Sequence, residues 1–136
     1  MDNVLNVKVI SPSATLFDGT ADEVSVPTSK GIIGVRYNHN ALVSSLGIGQ
    51  LVIGGQDKKS FFVSGGYIEV FQNSVTLLVS VIEDISKIDT QRAESAEKRA
   101  AQRLASRTEE ALDISRALAA LERARARKKL AELSQR

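Results

Sequence analysis

Arginine is the residue type whose spacing in this chain most suggests chemistry. Arg92, Arg99 and Arg103 fall on one face of a helix, and Arg123 and Arg127 stand one turn apart further along. Two such helices laid side by side would converge several guanidinium groups. Unopposed, those groups repel one another, and a triphosphate could neutralise them through bidentate hydrogen bonds. A solvated basic face awaiting an acidic partner accounts for the same pattern, and spacing alone does not separate the two readings.

Other arrangements that could do chemistry are weaker. His39 is the single histidine, and no Ser, Cys or Asp constellation accompanies it, so a structural role is expected and no catalytic residue is assigned. Gly31-x-x-Gly34 has the look of a phosphate loop without the Gly-Lys-Ser/Thr ending or the helix that would supply backbone donors, so it is expected to be a turn. Glu83 and Asp84 are expected to cap or solvate a connection rather than to act as an acid–base pair. With no cysteine and one histidine, thiolate and histidine-rich metal sites are excluded, and no metal is expected. No run approaches the roughly 20 apolar residues that span a bilayer, and Met1-Asp2-Asn3 lacks the basic start of a secretory leader.

The elements that must position the arginines follow from a change of composition. All nine Gly, both Pro and all six aromatics precede residue 89, whereas twelve of fifteen Ala follow it. Charge shifts too: residues 1–88 carry six Lys/Arg against eight Asp/Glu, and residues 89–136 carry twelve against eight. The chain is long enough for one good core and an accessory element. The expected parts are a sandwich over residues 1–85 and a helical hairpin over 86–136.

In the first part, Leu5, Val7 and Val9 alternate with polar residues, Pro12 stops the run, and Asp18-Gly19 is expected to turn the chain before Glu23–Val26 resumes it. Further runs at Ile32–Val35, Ile48–Ile53, Phe61–Ser64, Tyr67–Phe71 and Val75–Ile82 have Gly54–Asp57 and Gln72-Asn73 as turns, with Gly65-Gly66 as a bend or bulge. About ten short strands in an antiparallel β-sandwich are expected, giving an α+β chain with segregated parts. In the second part, Asp89 and Thr90 are placed to cap a first helix, and Ser106-Arg107-Thr108 before Glu109-Glu110 to open a second. Asp89, Arg92, Ala93, Ala96, Arg99, Ala100 and Arg103 share a face, and the same identities recur 24 residues later as Asp113, Arg116, Ala117, Ala120, Arg123, Ala124 and Arg127. An Ala/Arg-rich composition can generate coincidences, but seven matches in register favour a related pair of helices. Alanine stripes allow close approach while burying little apolar area, so the hairpin should open easily, with Leu112, Ile114, Leu118, Leu121, Leu130 and Leu133 adding apolar patches.

Phe17-Asp18-Gly19, Val24-Ser25-Val26-Pro27, Gly31, Gly34-Val35, His39, Leu42-Val43 and Gly49-x-Leu51 occur in order, followed by Ser64–Val70, Val75–Leu78 and Ile88-Asp89-x-x-Arg92-Ala93. Over nearly the whole chain this resembles the epsilon-subunit family of the rotary, proton-driven (F-type) ATP synthase. The resemblance implies a non-catalytic rotor subunit of the central stalk. Its ten-stranded sandwich would join the gamma subunit to the c-subunit ring, and its C-terminal helices would restrain hydrolysis by the alpha and beta subunits. It also implies a regulatory ATP site in the closed hairpin, matched at Glu83, Ile88, Asp89, Arg92, Ala93, Arg99, Arg123 and Arg127, with no required cofactor. Ring contact is carried over to Gly31, Ile32, Tyr37, His39 and Leu42. The basic rod of Arg116, Arg123, Arg125, Arg127, Lys128 and Lys129 would meet acidic loops of the catalytic subunits. Peripheral attachment to the cytoplasmic face of the bacterial inner membrane, only through the complex, completes the expectation.

Two departures stand out. The family loop Pro-Gly-His-x-Pro is Tyr37-Asn38-His39-Asn40-Ala41 here, which removes two fixed φ angles and predicts a more mobile loop, and a family acidic position is Ile32. A nucleic-acid-binding module or an unrelated adaptor is the alternative; the arginines have no aromatics or Asn/Gln array beside them with which to read bases.

Overall fold

Alternation sets the strands of the first unit. The computed structural model describes residues 3–55, 58–105 and 111–134, with side chains at all of these except 111–113 and 134. It divides into two compact units, Met1–Glu83 and Asp84–Arg136.

The first unit holds β1 (Leu5–Ile10), β2 (Thr15–Ala21), β3 (Glu23–Thr28), β4 (Gly31–Arg36), β5 (Leu42–Ser45), β6 (Ile48–Gly54), β7 (Lys59–Phe71) and β8 (Ser74–Asp84). Hydrogen-bonded neighbours run β2-β1-β8-β7-β6-β3-β4, with β5 on β7. Period-2 faces build the core: Leu5, Val7 and Val9 from β1, Val24 and Val26 from β3, Leu51 and Ile53 from β6, Val75, Leu77 and Val79 from β8 are all buried. Each such side chain contributes about 1.5–3 kcal/mol relative to exposure.

Among the described residues eight strands form instead of about ten, and one of the missing breaks is at Gly65-Gly66, which does not end a strand. β7 runs for 13 residues through both glycines, which take φ of 79° and 121°. Before them Phe61 and Val63 enter the core; after them Ile68 and Val70 do. The face that joins the main core has therefore changed from odd to even positions, Phe62 being buried as well but outside that cluster, and a bulge supplies such a one-residue phase shift. Its first half pairs with β6 and its second with β5, so one strand serves two layers.

Three local expectations are corrected. Asp18-Gly19 is not a turn: both lie inside β2, opposite Lys8 and Val7, because the chain already reverses at Ser11–Ala14, where Ser11 N–H donates to the Ala14 carbonyl at 2.8 Å. Gly31-x-x-Gly34 is strand β4, the turn being made upstream at Ser29-Lys30, with Lys30 N–H donating to Thr28 Oγ1. The sandwich is not wholly antiparallel either, since β1 and β8 pair in parallel. Gln72-Asn73 is a turn as expected, both residues at positive φ (47° and 63°), the combination a two-residue type I′ hairpin needs. Gln56 and Asp57 lie outside the described residues.

The second unit opens with η1 (Ile85–Lys87), capped by Asp84, whose carboxylate accepts from Ser86 N–H at 2.9 Å. Asp89 then caps α1 (Thr90–Ala105), accepting from Arg92 N–H at 3.1 Å, and α2 (Ala111–Ser134) follows. Ser106 to Glu110, expected to open the second helix, fall outside the described residues. Ala93 and Ala100 of α1 and Ala117 and Ala124 of α2 are buried, so burial repeats at the 24-residue spacing that the sequence shows.

The bulge sets up a stability prediction. A Cβ on Gly66 would run into the Leu78 carbonyl, whereas one on Gly31, also at positive φ (115°), meets nothing. Gly31→Ala should cost about 1–3 kcal/mol from backbone strain alone, and Gly66→Ala more, on the order of 4 kcal/mol. Urea titration of the two variants checks the order.

Candidate functional site

The hairpin gathers the arginines. An open cleft of about 320 Å³ is lined by Ala96, Arg99, Ala100 and Arg103 of α1 and by Ala120, Arg123 and Arg127 of α2. Three of the lining pairs, Ala96/Ala120, Arg99/Arg123 and Arg103/Arg127, are separated by 24 residues each. On antiparallel helices this amounts to a local pseudo-twofold arrangement. Alanine makes the cleft possible, because a small side chain lets the backbones approach while the long guanidinium stems reach over the rim. Four fixed cations around a volume at the lower end of ligand-pocket sizes suit a compact polyanion.

Of the eight residues matched to an ATP site, Arg99, Arg123 and Arg127 line this cleft together. Arg103 joins them; its helical face is plain from the sequence, but it lay outside the matched set. The others do not line it. Ile88 and Ala93 are buried, Arg92 is exposed in the first turn of α1, Glu83 lies in β8, and the Asp89 carboxylate is engaged as the helix cap.

The six cations of the basic rod divide as well. Arg123 and Arg127 face the cleft, while Arg125 and Lys128 reach Glu97 of α1 at 3.7 and 3.5 Å. Arg116 and Lys129 are exposed. Four of the six are therefore turned onto α1 in this hairpin. Glu97 was not legible as a partner, because which α2 residues face it depends on a register the sequence does not print.

In the sandwich, the five residues matched to ring contact lie in two groups. Gly31 and Ile32 begin β4; Tyr37 and His39 follow its end, a strand length of roughly 17 Å away. Leu42 packs against the core, and its neighbour Val43 is 74% exposed, as Ile32 is at 77%. The loop they flank, expected to be mobile without its prolines, has hydrogen bonds of its own. His39 N–H donates to the Arg36 carbonyl at 3.1 Å, Asn38 takes φ of 66°, and Asn38 N–H donates to Asn73 Oδ1 at 2.6 Å. Among the described residues no group of three or more His, Cys, Asp or Glu could hold a metal ion, and no helix is long and apolar enough to cross a membrane.

Two family models match adjoining parts of the chain: the beta-sandwich domain of the ATP synthase delta/epsilon chain over residues 4–85, and its long alpha-helix domain over residues 86–132. The chain belongs to the ATP synthase epsilon-chain family. Within that family, the ATP synthase epsilon chain of Salinibacter ruber is 38% identical over 114 residues, 76% of each chain. That of Nitratidesulfovibrio vulgaris strain DP4 is 39% identical over 128 residues, 93% of this chain and 95% of its own. A chain in the cryo-EM structure of the Euglena gracilis mitochondrial ATP synthase, OSCP/F1/c-ring, matches with a TM-score of 0.83 at 17% identity, over 100% of this chain and 84% of that one, which establishes likeness of fold.

What holds the hairpin of this family member shut is testable. Ala100 is 2% exposed, so Ala100→Leu overpacks the unit at a cost of about 1–3 kcal/mol. Glu97→Gln removes two partly solvated ion pairs worth under about 1 kcal/mol together. Thermal loss of helical circular dichroism should therefore shift down for Ala100→Leu at any salt. For Glu97→Gln it should shift only at low salt, the difference vanishing near ~1 M, where screening is complete within about 3 Å.

Proposed function

We propose that this epsilon chain couples the gamma subunit to the c ring through its sandwich, and that its hairpin is a two-state regulator of ATP hydrolysis. In the closed state the arginine-lined cleft takes ATP without hydrolysing it. In the open state α2 presents its cations to acidic loops of the alpha and beta subunits. The observation that carries this reading is shared use: Arg123 and Arg127 belong both to the cleft and to the basic rod, so they cannot serve a triphosphate on α1 and an acidic partner elsewhere at once. Closure also occupies Arg125 and Lys128 with Glu97. The two states are thus mutually exclusive in charge as well as in shape.

The balance between them is soft. Alanine contacts bury little apolar area, and the ion pairs add little, so a ligand that binds only the closed state moves the equilibrium by RT ln(1 + [L]/Kd), about 2.7 kcal/mol at a hundredfold excess over Kd. ATP would act as the restraint that keeps the inhibitory helix folded back. As a part of the synthase, the protein would sit on the cytoplasmic face of the bacterial inner membrane, held there through its partner subunits.

Two experiments test the pair of claims. Calorimetric titration of the full chain with ATP should give saturable binding that Arg99→Ala and Arg123→Ala each weaken by about tenfold or more, a charge-assisted bond being worth roughly 1.5–3 kcal/mol; absence of heat at millimolar ATP removes the nucleotide arm. Separately, deleting residues 107–136 should raise the ATPase activity of the assembled enzyme while leaving assembly intact. Equal rates with and without the segment would remove the inhibitory arm.

A further inference from the structure

The loop joining β4 to β5 lacks the prolines of its family, and the tip of the β7–β8 hairpin carries a side chain that does comparable work. Asn73 is held on two sides. Its backbone sits at φ 63° in the type I′ turn, and its carbonyl accepts from Asn6 N–H at 2.8 Å, which ties the tip to β1. From that fixed base its carboxamide Oδ1 accepts from Asn38 N–H at 2.6 Å, across 35 residues of sequence. Asn38 is the residue that turns the loop: it occupies the third position of the Arg36–His39 turn at φ 66°, the sign a type II turn needs there and one that Asn tolerates. A bond to that one N–H therefore fixes where the turn points. The exposed aromatics nearest in sequence to the two bonded residues are Tyr37 and Phe71.

We propose that Asn73 is a positioning residue for the ring-facing loop, its carboxamide holding residues 37–41 in the conformation that meets the c ring in place of the φ restraint two prolines would give. The proposal rests on the reading that this loop faces the ring. Preorganisation is the physical content: a loop already ordered does not lose that freedom on docking.

The turn itself suggests the variants. Asn73→Gly keeps the positive φ and the backbone carbonyl while deleting the acceptor, and Asn73→Asp keeps an acceptor at the same distance. In the full chain, hydrogen exchange of the Asn38 amide followed by NMR should speed up about fivefold in Asn73→Gly, with the sandwich still melting in one cooperative transition, and return to the original rate in Asn73→Asp. Affinity for a purified gamma–c-ring assembly should fall by a similar factor in the glycine variant and recover in the aspartate one. Unchanged exchange at Asn38 in Asn73→Gly overturns the clamp. Faster exchange with undiminished ring affinity overturns the positioning role if Tyr37→Ala weakens the ring complex. If Tyr37→Ala leaves ring affinity intact as well, it is the ring-facing assignment of the loop that has failed, and the proposal falls with it.

Discussion

A β-strand presents alternate residues to a core, and β7 must serve two layers whose demands are out of phase. The first half, pairing with β6, needs its odd positions inside; the second half, pairing with β5 and turning into β8, needs its even ones. An inserted residue resolves this, here at positive φ, and at Gly66 the space for a side chain is already filled by the Leu78 carbonyl. The contacts around β5 follow from that accommodation. β5 can lie on the second half of β7, Leu46 N–H can reach the Gly66 carbonyl at 2.8 Å, and the segment between β4 and β5 can cross the rim where Asn38 meets Asn73.

The helical unit obeys a different economy. Its interior is mostly alanine, with Ile88, Leu121 and Leu130, where the sandwich uses Val, Ile, Leu and Phe, so backbone proximity is gained at the expense of buried area. Long basic side chains fill the periphery instead, and their mutual repulsion is relieved at Glu97 on one side while a cleft remains on the other. A sandwich with a deep aliphatic core and a hairpin with a shallow one will differ in how readily each comes apart.

Strand positions were legible because burial on one face enforces period 2: β1, β3, β6 and β8 fall where Leu5–Val9, Val24-Val26, Leu51-Ile53 and Val75–Val79 put them. Turns were less so. Asp18-Gly19 has turn composition, yet it is spent inside β2, since Pro12 and Ser13 had already reversed the chain and a β1 partner was waiting. The parallel pairing of β1 with β8 is a non-local choice that no local pattern encodes. For the site, the helical faces of Arg99, Arg103, Arg123 and Arg127 were visible as spacing, but Glu97 and Asn73 were not. Each acts through a partner that only the tertiary register identifies, 28 to 31 residues away for Glu97 and 35 for Asn73.

The 24-residue repetition gives the cleft a property beyond its charge. Ala96, Arg99 and Arg103 on one helix are answered by Ala120, Arg123 and Arg127 on the other, running in the opposite direction. A row of phosphates entering from either end would meet the same succession of side chains. The floor of the cleft is therefore blind to polarity: an elongated anion lying along it would find no difference between head and tail. Any sense of direction must come from residues that break the repeat, and the break falls at Glu97, whose counterpart 24 residues on is Leu121.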